Sequence, residues 1–159
     1  FFLRPDSDGD LWDPQWPMIA LLHSQVVQYA QYRSQRDSCN WRLPSNSEWE
    51  KAARGTDRRY YVWGNLAEDT WCNIDGSAPG PQLPKPSGSH PLDKSVYGVL
   101  DMGGNVRDMT RDLTPCQTQY WSRGSSWSTN IRGARCSSRV RYRLNNSFGN
   151  IGFRLVRSV

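Results

Sequence analysis

What this chain does not contain narrows its function first. Its 159 residues hold only two histidines, His23 and His90, and four cysteines, Cys39, Cys72, Cys116 and Cys136, with no Cys-x-x-Cys pair. A zinc site needs closer ligands, and a histidine-held iron needs more of them, so neither metal is expected. No run reaches the roughly eighteen apolar residues of a membrane helix, and no insertion into a bilayer is expected. The chain opens Phe1-Phe2-Leu3-Arg4-Pro5, with neither Met nor a signal-peptide pattern, and reads as a fragment or trimmed chain whose true N-terminus, with any targeting signal there, is expected to lie outside it. A cytoplasmic location with mostly reduced cysteines is the expectation, two disulfides being the alternative. There is also no Gly-x-Ser-x-Gly elbow, no Gly-rich phosphate loop ahead of a helix, and no histidine near Ser125-Ser126. The common hydrolase and nucleotide-binding signatures are therefore missing.

The most informative absence lies in the last third of the chain. From Gly124 to Val159 there is no Lys, Asp, Glu, Gln, His, Met or Pro, yet there are seven arginines: Arg132, Arg135, Arg139, Arg141, Arg143, Arg154 and Arg157. This tail is about +7, while residues 1–123, with thirteen basic and fifteen acidic residues, are about −2. One face of the protein should be markedly cationic. Lys, Glu, Gln and Met are also residues that an AAC codon cannot reach by changing its adenines, whereas the types that fill this tail are reachable. An Arg-rich surface with chance depletion is the other reading of the same composition.

What is present fits one loop-rich domain over 1–159. Eight Trp and seven Tyr supply bulk for a core, and thirteen Gly with ten Pro favour short strands and irregular chain over a helical bundle. Asp6, Asp8 and Asp10 alternate as in a calcium loop, but the Gly position and the missing downstream Glu favour a turn. His23 to Arg36 is free of Gly and Pro, with apolar residues at three-to-four spacing, which predicts a helix in which His23 is structural. Ser45 and Glu48 form a capping box and Gly55 a stop signal, predicting a second helix at 46–54. Residues 58–65 read as an aromatic strand. Residues 72–94, with five prolines, read as a long loop anchored by Trp71, in which Asp75 and Asp93 are solvated. Asp108 and Asp112 could be paired for acid/base work, but with Arg107 and Arg111 adjacent they read better as salt-bridged or metal-binding groups.

The ordered series WRLPSNSEWEKAARG, YYVWGN, YGVLDMGGNVRDMTRD, RGSSW and NIGFRLV resembles the motifs of the formylglycine-generating enzyme (sulfatase-modifying factor) family. The match runs from about Pro17 to Val156 and leaves 1–16 as an extension. It implies an α+β, C-type-lectin-like fold with two short helices, small antiparallel sheets and much loop. It also implies calcium held by the carboxylates of Asp101 and Asp108 and the carbonyls of Gly104 and Val106. The residues by themselves also allow a Gly-rich turn whose Asp side chains cap amides. Arg107 and Met109 stand where that family has aromatics, and Arg107 would add charge beside the ion. The family's oxidising cysteine pair aligns with Thr129 and Ala134, neither of them a thiol, so oxidase activity and copper are not expected.

The segment RGSSWSTNIRGARCSSRVRYRLNNSFGNIGFRLV further resembles the variable region of proteins diversified by retroelements that mutate template adenines, some of which use this lectin-like fold. In that reading Gly124, Ser125, Trp127, Arg135, Arg139 and Ile151-Gly152-Phe153-Arg154 are scaffold within a variable region at 120–159. The displayed positions would be Ser126, Ser128, Thr129, Ile131, Arg132, Val140, Tyr142, Leu144, Asn145, Phe148 and Gly149. Tyr142 and Phe148 would supply rigid contact area, and Arg132, Arg141 and Arg143 charged donors. The alternative for Val140, Tyr142 and Leu144 is an inward strand face, since they share parity. The expected partner is a macromolecule, a protein first and a glycan second. Nucleic acid is not favoured, because no nucleic-acid motif is present and the rest of the chain is slightly acidic. A fixed sensor module of a larger, kinase-linked signalling protein is the other function carried forward.

Overall fold

The computed structural model describes residues 13–80 and 82–157. The acidic run Asp6, Asp8 and Asp10, and most of the 1–16 extension, lie outside the described residues. Helix α1 spans His23–Asp37 and buries His23, Val26 and Ala30, a three-then-four spacing that forms one stripe. Leu22, ahead of the helix, has no capping oxygen, and the Gln25 side chain instead accepts from its backbone N–H at 2.8 Å. His23 is structural: its Nε2 lies 3.0 Å from the Thr110 carbonyl and its ring packs 4.9 Å from that of Tyr120.

Strand β1, Trp41–Arg42, leads into helix α2, Asn46–Arg54, whose ends match the sequence reading. Ser45 Oγ accepts from Glu48 N–H at 3.1 Å, and Glu48 Oε2 accepts from Ser45 N–H at 2.8 Å. Each satisfies a donor that the first turn leaves orphaned. Arg42 closes a two-pronged pair on the same Glu48 carboxylate, both contacts at 2.7 Å, which holds that group down at about 2. A second carboxylate reaches the helix start from far along the chain: Asp112 Oδ2 accepts from Asn46 N–H at 2.6 Å.

The expected strand at 58–65 is a tight turn. Tyr61 and Gly64 exchange backbone bonds at 2.8 and 3.1 Å, Arg58 has φ 63°, and Tyr61 stacks flat on Trp63 at 5.2 Å. The aromatics that suggested a strand are used for stacking within the turn, and Trp71, in a single 3₁₀ turn at Asp69–Trp71, meets Trp63 edge-on. The main sheet runs β4-β3-β2-β5, with β2 at Arg107–Leu113, β3 at Gln119–Arg123, β4 at Arg139–Arg143 and β5 at Ile151–Gly152. β2–β3 and β3–β4 are antiparallel, but β2–β5 is parallel, so the expectation of antiparallel sheets holds only in part. β6, Val156–Arg157, pairs with β1 and ties the end of the described chain to the segment between the two helices.

Three apolar clusters fill the interior. Val26, Leu43, Met109, Tyr120 and Ile151 join α1 to the sheet; Trp49, Ala53, Val62, Met102 and Cys136 seat α2; Tyr61, Cys72, Ile74 and Ala134 underlie the long loop. Burial of each large side chain is worth about 1.5–3 kcal/mol.

Asp93 departs most from expectation. It is 1% exposed, not solvated, and its two oxygens accept from Gly103 N–H at 2.7 Å and Gly104 N–H at 2.9 Å. A Cβ on Gly103 would meet the Trp63 ring at 2.7 Å, and one on Gly104 would meet the Asn73 carbonyl at 2.6 Å. The Gly-Gly turn is thus required by the close approach of Asp93, Trp63 and Asn73, long-range neighbours that local sequence does not reveal.

Candidate ligand-binding surface

The segment after β3 divides into an inward set and an outward set. Ser126, expected on display, is fully buried, with its N–H donating to Thr129 Oγ1 at 2.9 Å. Thr129, half-buried, also lies 2.6 Å from Ser125 Oγ, so its hydroxyl braces the loop. Ile131 packs on the cluster around Ala134 and Ile74. Tyr142, Leu144 and Phe148 pack on the α1–sheet cluster, with Tyr142 6.1 Å from Tyr120 and 4.9 Å from Phe148. These side chains are half-buried anchors, and the inward-face reading describes Tyr142 and Leu144. Ser128, Arg132, Val140, Asn145 and Gly149 are exposed.

Strand β4 lies at the sheet edge with the opposite parity outermost. Arg141 faces Trp121 and Arg143 faces Gln119 across the β3–β4 ladder. The Trp121 ring carries the Arg139 guanidinium at 4.6 Å and that of Arg141 at 5.5 Å. Arg139, expected as scaffold, is exposed. Such cation–π contacts are worth about 0.5–1 kcal/mol at exposed sites, and they hold the two charges as a fixed ridge. Trp121 escaped the sequence reading, which places Arg139 in the scaffold, although the alternation Arg-Val-Arg-Tyr-Arg carried the signal for the ridge.

Ser128, Thr129, Arg132 and Val140 gather around one open depression of about 440 Å³, whose wall also includes Asp75, Asn130 and Arg107. Leu144 and Asn145 line a different one, beside Gln117, Thr118 and Arg143. Six of the eleven displayed positions thus line these two hollows, with the Trp121 ridge on the same β3–β4 ribbon.

The residues expected to hold calcium come together only in part. Asp101, Val106 and Asp108 line one hollow, but Gly104 is not among its walls. Asp108, 2% exposed, accepts on Oδ2 from Trp49 Nε1 at 2.7 Å and from Arg154 Nε at 2.5 Å. Arg154 also donates to the carbonyls of Leu100 and Asp101 at 3.2 and 3.0 Å, and Asp101 Oδ2 accepts from Gly88 N–H at 2.7 Å. A guanidinium already bridges the acidic turn and engages Asp108 Oδ2 and the Leu100 and Asp101 carbonyls in hydrogen bonds within the fold. Asp108 therefore pairs with Arg154, forty-six residues away, and not with neighbouring Arg107 or Arg111. Arg107 does not sit beside this corner, because alternation along β2 turns it to the other face.

Thr129 and Ala134, the residues that the family resemblance sets against an oxidising cysteine pair, carry no thiol. All four cysteines are free thiols, and burial pushes Cys136 up to about 11 and Cys72 higher still. Cys116 differs: exposed, and held near 7 by the Thr114 and Thr118 hydroxyls, it lies on the turn between β2 and β3.

Two small helices, a twisted mixed sheet and long irregular connections place the protein in the α+β class with C-type-lectin-like architecture. The chain belongs to the sulfatase-modifying factor enzyme 1-like family, whose model matches residues 6–159. Curated relatives include the inactive C-alpha-formylglycine-generating enzyme 2 of Bos taurus, 29% identical over 80% of this chain and 48% of its own length. The Mus musculus protein of that name is 32% identical over 76% and 45%. The formylglycine-generating enzyme of Mycobacterium tuberculosis is 33% identical over 65% and 36%. The chain thus spans about half or less of these relatives. Among solved structures, PvdO from Pseudomonas aeruginosa superposes with a TM-score of 0.79 at 22% identity, covering 94% of this chain and 65% of its own. Variable protein 1 of Treponema denticola superposes with a TM-score of 0.81 at 15% identity, covering 96% and 76%. At these identities the likeness is one of fold.

Proposed function

We propose that this chain is a non-catalytic binding module that presents a diversified C-terminal surface to a macromolecular ligand. The observation that carries the reading is the double character of one segment. Where an oxidase needs paired thiols it has Thr129 and Ala134, and where a binding protein needs exposed, adaptable groups it has Ser128, Arg132, Val140 and Asn145 around open hollows. The fold shared with the Treponema variable protein and the relatives named as inactive support the same reading. The half-buried Tyr142 and Phe148 act as rigid supports, so that change at the exposed positions leaves the core intact. A protein partner suits the mixture of arginine, serine and asparagine better than a glycan does.

The test is genetic and then chemical. Sequencing the DNA around codons 120–159 should reveal a near-identical template whose mismatches fall at adenines and cluster in the codons for Ser128, Arg132, Val140 and Asn145. The absence of such a copy, or mismatches spread over all four bases, would sink the diversification reading. Incubation with a cysteine-containing sulfatase peptide should yield no formylglycine with or without added copper, and product formation would sink the non-catalytic one.

A further inference from the structure

We propose that Arg107 is the fixed anchor of a carboxylate-binding site at the floor of the depression ringed by Ser128, Thr129 and Arg132, and that the partner of this surface inserts an acidic side chain or chain terminus there. The assignment rests on the binding-surface reading above and names the chemistry of the ligand.

Arg107 opens β2 and is only 3% exposed. Its backbone N–H donates to the Asn150 carbonyl at 3.0 Å, which fixes the start of the side chain. Its guanidinium makes one weak contact, from Nε to Ser122 Oγ at 3.3 Å, and Nη2 is buried with no partner among the described residues. Every ion pair found among the described residues uses a different arginine, so none of the described carboxylates pairs directly with it. A guanidinium keeps its charge at any working pH, and a buried charge without a counter-ion is costly. Arg123, buried to the same degree, shows the usual solution, a 2.7 Å bond to Glu50.

The second observation is that Arg107 remains open to the depression. Gly133 lies over it: a Cβ there would come within 3.3 Å of Nη1 and 2.6 Å of Ser125 Oγ. Only a glycine lets the loop pass this close to Ser125 and the guanidinium, and the approach for a ligand is from the side of the depression that Arg107 lines. The walls offer the Ser128 hydroxyl and the Asn130 amide as further partners for an oxyanion, while the Thr129 hydroxyl is engaged in bracing the loop. Charge selects among oxyanions. Arg107 and Arg132 against Asp75 leave one surplus positive charge, which matches a carboxylate and falls short of a phosphate dianion. The planar fork of a guanidinium also pairs with a carboxylate in two-pronged fashion.

The arrangement divides the labour of recognition. Arg107 lies outside the Arg-rich tail and would supply a constant buried contact of the kind that dominates binding energy. The exposed rim, Ser128, Arg132 and Val140, would set which acidic ligand is accepted.

The test uses the whole chain labelled with ¹⁵N-arginine, the Arg107 Nε–Hε signal being assigned by its loss in Arg107→Met. Sodium acetate, inorganic phosphate and sodium chloride are titrated at matched ionic strength. A saturable shift with acetate, tighter than with phosphate and absent with chloride, is expected. In Arg107→Met, acetate binding followed at the Ser128 and Thr129 backbone amides should weaken by about tenfold or more, the loss of a two-pronged charged contact. Thermal stability of that variant should be unchanged or higher, because an unpaired buried charge has been removed. Equal response to chloride, tighter binding of phosphate, or undiminished acetate binding in Arg107→Met would each overturn the assignment. So would a large fall in melting temperature in Arg107→Met, which would mean that the guanidinium is already satisfied within the fold. The titration does not depend on the template search: acetate binding without a template leaves this site standing and removes only diversification, and a template without acetate binding does the reverse.

Discussion

Removal of the Asp108 carboxylate should destabilise the protein more than any other single change at the acidic corner. Its Oδ2 holds two donors of different origin, the Trp49 indole N–H from α2 and the Arg154 guanidinium from the closing segment. In Asp108→Ala the indole, inside a fully buried Trp49, loses its partner at about 1–3 kcal/mol. Arg154 loses a charge-assisted bond at about 1.5–3 kcal/mol, reduced because its side chain is 27% exposed and regains water. Together these give about 3–4 kcal/mol. For a chain of this size the melting temperature falls by about 2–4 °C per kcal/mol, so a drop of roughly 10 °C is expected. Asp108→Asn keeps an acceptor for the indole and loses only the charge, and should fall by about half as much. Circular dichroism melts of both variants, with Arg154→Met and the double variant to complete a cycle, measure these terms. A fall of less than about 3 °C for Asp108→Ala, or strict additivity with Arg154→Met, would refute the claim that this one carboxylate joins α2 to the closing segment.

Three further outcomes follow from individual groups. Because Arg154 already supplies the positive charge at Asp108, calcium and a chelator should leave the melting temperature equal within about 1 °C; a clear rise with calcium would return Asp101 and Asp108 to the role of ion ligands. Burial pushes the Asp93 carboxyl up to about 7, against the opposing pull of the Gly103 and Gly104 amides. At intermediate pH the folded state therefore holds a proton that the unfolded chain has released. The associated stability is complete below the ordinary value of 3.8 and is lost as pH rises through about 7. Chemical denaturation of the native chain and Asp93→Asn across that range should show the native protein losing ground to the variant as pH rises, and parallel curves would remove Asp93 as the cause. Finally, iodoacetamide at neutral pH should label Cys116 well before Cys72 and Cys136, since Cys116 is exposed and held near 7 whereas the other two are buried and pushed up. Mass spectrometry of the partly labelled protein reads the order, and equal labelling of Cys72 would contradict the packing around Tyr61 and Ile74.

Much of this protein was settled by short-range sequence. The Ser45/Glu48 box and Gly55 bound α2 because capping needs only residues three or four apart, and the three-to-four spacing of Val26, Val27, Tyr29 and Ala30 marked α1 because a helix repeats every 3.6 residues. The ordered motifs carried the family, and the exchange of acidic for Arg-rich composition at Gly124 carried the cationic ridge. The rest depended on partners that meet only after folding. Asp93 reads as a loop carboxylate until the Gly-Gly turn closes over it, and Asp108 reads as a neighbour of Arg107 until Arg154 arrives from the far end. The aromatics of 58–65 read as a strand until Tyr61 finds Trp63. The same limit governs the binding surface: alternation shows that Arg139, Arg141 and Arg143 share a face opposite Val140, Tyr142 and Leu144, but not which face is covered. Tertiary packing decided it, because Tyr120 and Phe148 offer Tyr142 an apolar bed while the arginines find only the face of Trp121 and water. Arg107 is the extreme case, since the absence of a buried counter-charge is a property of all the chain around a residue and of no stretch of sequence beside it.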